Sequence, residues 1–134
     1  MSPVEYRTNA DLGLDEVIEL YVASTLAERR PAGDRARMEE MLANANLVVS
    51  AHDGALLVAI ARSITDWAYA TYLSDLAVRV SHQRGGIGAE LVARTHAAAP
   101  RSRVILLSAP GAVGYYPRIG MERHPAAFTL PPRQ

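Results

Sequence analysis

The chain has 134 residues, 49% of them apolar and 21% charged, which suits a single domain over 1–134 burying roughly two-thirds of its unfolded surface. Its 14 basic and 14 acidic side chains cancel and lie interspersed, which argues against nucleic acid or an anionic membrane as the partner, so any anion site has to be local. Cysteine is absent and His52, His82, His96 and His124 stand far apart without ligand spacing, so neither a disulfide nor a metal site is expected.

In chain order, residues 3–8 read as a short strand, and Asp11 to Asp15 supply capping acids for a helix over 15–27 with Val17, Leu20, Tyr21 and Ser24 on one face. Pro31 and Gly33 break that helix. Asp34 then caps a second one whose Met38, Met41, Leu42 and Ala45 recur at helical spacing and read as core. Residues 47–51 and 55–64 are apolar, β-prone runs joined through His52, Asp53 and Gly54, and the Asp-Gly pair favours the positive backbone angles of a hairpin. A turn at Thr65, Asp66 and Trp67 leads to a strand over 69–80, so three antiparallel strands follow one another.

A helix over 89–98 places Leu91, Val92 and Thr95 on one side and stops before Pro100. The apolar run 104–107 is expected to lie parallel to the 69–80 strand, because a helix separates the two. A short helix over 112–118 and a last strand near 121–130 close the order β-α-α-β-β-β-α-β-α-β. The expected class is α/β (α+β), a mixed, mostly antiparallel sheet of about six strands flanked by about four helices. No apolar run reaches about 18 residues and no leader-like amino terminus is seen, so a cytoplasmic protein is expected. Arginine supplies every basic side chain, a usage that suggests a GC-rich bacterial genome.

The most informative stretch is LAVRVSHQRGGIGAELV, residues 76–92, where a buried strand enters a glycine-rich turn that opens a helix. Gly85, Gly86 and Gly88 let the backbone approach a ligand, and the unpaired N–H groups of the helix start point at the same spot, a cradle for phosphate or diphosphate. Arg84 adds positive charge at its rim. The plain alternative is a tight turn that uses glycine for backbone freedom alone. No Gly-Lys-Ser/Thr follows, which excludes a nucleoside-triphosphatase loop, and Ser108 and Ala109 stand where a dinucleotide fold needs an acid.

Gln83-Arg84-Gly85-Gly86-Ile87-Gly88 resembles the Arg/Gln-x-x-Gly-x-Gly/Ala signature of the GCN5-related N-acetyltransferase (GNAT) superfamily. LAV before it, ELV after it and YYPRIGM at 115–121 are similar to that family's coenzyme-binding strand, helix and Tyr-containing terminal helix. The resemblance implies a central splay between two parallel strands that receives the pantetheine arm of acetyl-CoA as an extra strand. It implies Leu76, Ala77 and Val78 as the backbone that the arm meets, and Arg84, Gly85, Gly86, Ile87, Gly88 and Ala89 as the loop around the diphosphate. A bulky residue at Gly86 or Gly88 is then expected to obstruct the donor.

Amine acetylation needs a neutral amine, stabilisation of the tetrahedral oxyanion and a proton for the departing thiolate. Tyr116 matches the family's tyrosine at the coenzyme sulfur, with Tyr115 beside it as an anchor of the short helix. Tyr72 stands where several relatives carry a glutamate base, and the alternatives are Ser74, Asp75 or a water relay. Strand alternation turns Asp75 away from the face of Tyr72 and Ser74 unless a β-bulge intervenes. The acceptor pocket is expected under the first two helices and the 65–69 turn, with Asp66, Trp67, Arg29 and Arg30 as the side chains to inspect. The resemblance thus implies transfer from acetyl-CoA to a small-molecule or peptide amine by direct attack in a ternary complex. A non-catalytic acyl-CoA-binding module and an edge-strand interaction domain are the rival readings. A homodimer is expected through the final strand.

Overall fold

The computed structural model describes residues 3–133. Strand β1 (Glu5–Thr8) is followed by helices α1 (Leu14–Ala23) and α2 (Arg35–Asn44), then by strands β2 (Leu47–Asp53), β3 (Leu56–Thr65) and β4 (Ala70–Val78). Helix α3 (Ile87–Ala98), strand β5 (Arg103–Ile105) and the one-turn helix α4 (Tyr115–Arg118) complete the regular structure. The strands form one sheet in the order β1-β2-β3-β4-β5. Its first three pairings are antiparallel and β4 with β5 is parallel, as expected when a helical crossover joins them.

Each boundary has a local cause. The Glu16 carboxylate accepts the Gly13 N–H at 3.0 Å and starts α1, and Asp34 accepts the Arg37 N–H at 3.1 Å to start α2. Gly54 takes φ +60° in the β2–β3 turn, where the Asp-Gly pair called for a positive angle. Helix α1 ends at Ala23 rather than near residue 27, because Thr25 turns to φ +73° and a 3₁₀ turn, Leu26–Arg29, follows.

The sheet buries a core on each face. Leu47, Val49, Val58, Ala59, Leu73 and Ala61 pack against Ile87, Leu91 and Val92 of α3. On the other face Val48, Leu57, Ile60 and Ala77 meet Val17, Leu20 and Tyr21 of α1, with Met38 of α2. The four-helix, mostly antiparallel α/β architecture matches the expectation, with five strands among the described residues. The strand expected near 121–130 is not formed: that segment is irregular, with Phe128 92% and Leu130 94% exposed. Pro125 interrupts it, Pro131 and Pro132 follow it, and none has a ladder donor, so β5 remains the sheet edge.

Candidate active site: the gap between β4 and β5

Strands β4 and β5 pair over three positions only, Ala70 with Arg103, Thr71 with Val104 and Tyr72 with Ile105. Beyond Tyr72, β4 stays bonded to β3 as far as Val78, while the chain after Ile105 leaves the sheet. The edge of β4 from Leu73 to Val78 therefore carries backbone groups with no strand beside them. A cavity of about 120 Å³ opens there, lined by Leu73, Ser74 and Leu76 of β4 and by Leu106 and Leu107 after β5, with Tyr116, Arg29 and Arg30 also in its wall. Leu76 and Val78 side chains pack toward the α3 core and Ala77 toward α1, which leaves their backbone as the feature presented along the edge.

At the far end of β4 a 3₁₀ turn, Val80–His82, leads into the glycine loop. Arg79 pairs with Glu19 and donates to the Leu57 carbonyl at 2.9 Å, and Gln83 Nε2 donates to the Val78 carbonyl at 2.9 Å. These contacts tie the loop to the strand and to α1. Arg84 and Gly86 both take left-handed angles, φ +67° and +86°. At Gly86 a side chain would have space but a strained backbone. The first bond of α3 runs from the Glu90 N–H to the Gly86 carbonyl at 3.0 Å, so the N–H groups of Ile87, Gly88 and Ala89 precede the helical ladder. Gly85 and Gly86 are exposed, Gly88 and Ala89 half-buried and Ile87 buried.

Gly88 has a second constraint that the sequence did not announce. A Cβ there would lie 2.9 Å from the Tyr115 hydroxyl, so Tyr115 packs against the α3 start. Burial pushes the Tyr115 phenol up, while the Ala89 N–H facing it pulls the other way. Tyr116 is packed against Tyr115 edge to face, with ring centroids 5.2 Å apart. Burial and the Tyr115 neighbour raise its phenol above the usual value near 10, against the pull of the Arg29 cation. Tyr116 is therefore held protonated at neutral pH, as a hydrogen-bond donor must be.

The β-bulge left open in the sequence is present. Arg62 opposes Asp75 while Ser63 opposes Leu73, so Ser74 is the extra residue and Asp75 shares a face with Tyr72. Asp75 is nonetheless no solvent-facing base: it is 0% exposed. Its Oδ2 accepts from the Tyr21 hydroxyl and Arg62 Nε, each at 2.6 Å, and its Oδ1 from Arg30 Nε at 2.5 Å. Burial pushes this carboxyl up, but the Arg62 guanidinium, with Tyr21 and Arg30, outweighs it and holds the group below the ordinary carboxylate range. Tyr21 is driven far upward by burial and by the Asp75 charge. The Ser74 carbonyl, turned out of the ladder by the bulge, accepts from Arg30 Nη2 at 2.7 Å.

Of the expected acceptor-side residues, Arg29 and Arg30 line the gap. Asp66 does not: its carboxylate accepts the N–H groups of Ala68, Tyr69 and Ala70 within its own turn. Trp67, at φ +64°, is half exposed in that same turn. Sequence reading missed Arg62 and Tyr21. A lone charge inside the apolar run LLVAIARSIT was the available signal, since a buried charge needs a partner. A larger groove between the 9–14 segment and α2 lies among other residues, from Asn9 to Val48, and shares none of these features.

The acetyltransferase (GNAT) domain family matches residues 20–129. The chain belongs to the GNAT acetyltransferase family. Acetyl-CoA is the acetyl donor of that family. Solved structures agree on the fold. A GNAT-family acetyltransferase of Streptococcus pneumoniae is 22% identical over 98% of this chain and 100% of its own, with a TM-score of 0.77. An aminoglycoside N-acetyltransferase in complex with CoA is 16% identical over 100% and 97% of the two chains, with a TM-score of 0.74. An aminoglycoside acetyltransferase from an uncultured soil metagenomic sample, in complex with sisomicin, is 18% identical over 97% of each, with a TM-score of 0.69. No curated protein matches the chain. Among the described residues, no helix is long and apolar enough to cross a membrane.

Proposed function

We propose that residues 1–134 act as one N-acetyltransferase domain, moving the acetyl group of acetyl-CoA to a primary amine by direct attack within a ternary complex. The observation that carries this reading is the parting of β4 from β5 after Tyr72 and Ile105, which opens a backbone edge into a cavity. An extended pantetheine arm can add to that edge as a strand does, using Leu76, Ala77 and Val78. The diphosphate then falls at the turn of Arg84, Gly85 and Gly86 and at the amides of Ile87, Gly88 and Ala89 that open α3. The thioester at the other end of the arm lies toward Tyr116, whose protonated hydroxyl supplies the departing sulfur with a hydrogen bond or proton.

Among the described residues no carboxylate lines the gap, and Asp75 already accepts from Tyr21, Arg62, Arg30 and the Ser74 hydroxyl. The acceptor ammonium therefore loses its proton to water before attack, and proximity supplies much of the rate. The same lack of a base supports a second reading, a non-catalytic acyl-CoA-binding regulatory module. We also propose pairing of two copies through the 121–130 segment, where Phe128 and Leu130 lie exposed.

Release of free thiol from acetyl-CoA, measured over a panel of amines with mass detection of the acetylated product, separates the two functions. Turnover of at least one amine is expected. Binding of acetyl-CoA without thiol release over the whole panel would favour the regulatory module.

A further inference from the structure

We propose that the acceptor amine carries a carboxylate, received by Arg29 and Arg30 at the rim of the β4–β5 gap. This rests on reading the gap as the acetyl-transfer site and names the acceptor's class. Apart from Tyr116, the ionisable side chains lining the gap are these two arginines. Glu28, beside them in the chain, is not part of the wall. Asp75, the nearest buried acid, is already matched by Arg62 at 2.6 Å. Counting Asp75 as one negative charge against Arg62, Arg30 and Arg29, the cluster keeps two positive charges.

Arg30 is held in advance of any ligand. Its Nε donates to Asp75, its Nη2 to the Ser74 carbonyl and its Nη1 to the Arg29 carbonyl. A guanidinium has five N–H donors, so two remain for a ligand, on a group that pays little entropy to bind. Arg29 makes no side-chain hydrogen bond or ion pair among the described residues. It is near enough to Tyr116 for its charge to act on the phenol.

The segment that leads to both arginines is anchored at its start. Ser24 Oγ donates to the Tyr21 carbonyl and accepts the Leu26 N–H, and Arg30 is extended ahead of Pro31. A planar carboxylate pairs with a guanidinium through two parallel hydrogen bonds. A polyamine meets two like charges and no acid, so the site is built against the polycationic acceptor of the kind its structural neighbours are named for.

The test uses the whole chain loaded with CoA and titrated calorimetrically. The probes are glycine, β-alanine and 4-aminobutanoate, each beside its carboxamide and the diamine of matching length. Acetyl-CoA binding is measured first: its failure overturns the acetyl-transfer reading itself, and the acceptor assignment with it. Given donor binding, at least one acid should bind about tenfold or more tighter than its amide, with the diamine weakest.

Arg29→Gln should shrink that preference to about threefold or less while Kd for acetyl-CoA holds, and Arg29→Lys should keep most of it. Equal affinity for acid and amide, tightest binding by a diamine or by sisomicin, or no binding by any acid would overturn the proposal. So would Arg29→Gln weakening acetyl-CoA instead, which would assign the arginine to the donor.

Discussion

Replacing Asp75 by Asn separates a structural anion from a catalytic base. The parent carboxylate takes four donated hydrogen bonds, from Arg62, Arg30, Tyr21 and Ser74, with no solvent exposure. Asn removes the charge and turns one oxygen into an NH₂ that faces donors, leaving two guanidinium groups partly or fully inside the protein uncompensated. Breaking a buried ion pair from one side costs about 3–5 kcal/mol. For a chain of this size that corresponds to a fall in Tm of about 10–18 °C.

The pH dependence carries a sign. The folded-state pKa of Asp75 is depressed, so its contribution is fully present above the ordinary carboxylate value and is lost as pH falls through the folded value. The parent should therefore lose Tm on acidification below about pH 4 more steeply than Asp75→Asn does. The other depressed carboxyls, Glu5, Glu19 and Asp66, are common to both proteins and drop out of the difference. Thermal unfolding from pH 7 downward reads both effects. A variant as stable as the parent, yet with thiol release lost about 10³-fold and its acid limb gone, would refute the structural role and make Asp75 the base.

Tyr116→Phe removes a hydroxyl and should preserve acetyl-CoA affinity while lowering kcat about 10²-fold. Because that phenol is raised, the parent's alkaline loss of activity should lie above pH 10 and be missing from the variant; an identical limb in both proteins would end the assignment. Gly86→Val, at φ +86°, should cost about 1–2 kcal/mol in strain and abolish the rise in Tm on adding acetyl-CoA; a rise equal to the parent's would move the cradle elsewhere. Leu91→Ala, buried in the α3 core, should destabilise by about 2–5 kcal/mol in urea without changing donor affinity at permissive temperature. Light scattering at high concentration should give twice the chain mass, and a monomer mass would remove the proposed pairing.

Local chemistry made much of this fold legible. The Asp-Gly turn at 53–54, the Asp34 cap and the helix–strand alternation after Gly86 each dictated a neighbouring element, and the parallel placement of β5 followed from the crossover. The last strand failed because apolar residues near 121–130 look β-prone, while Pro125, Pro131 and Pro132 lack ladder donors. The start of the glycine loop was readable from composition, but the contact of Gly88 with the Tyr115 hydroxyl joins residues far apart in the chain. The bulge at Ser74 was an open alternative in the sequence, but its consequence was not. It inverts the face of Asp75, and the arginines that hold that geometry come from β3 and from the segment before α2.

The central claim is that acetyl-CoA lies along the open edge of β4 with its diphosphate at the start of α3. Titration of the isotope-labelled chain with acetyl-CoA, followed by backbone amide NMR, tests it directly. The largest shifts are expected on Leu76, Ala77, Val78 and on Gly85 through Ala89, with smaller ones at Leu106 and Leu107. Shifts confined to the groove between Asn9 and Val48, or none at saturating acetyl-CoA, would contradict it.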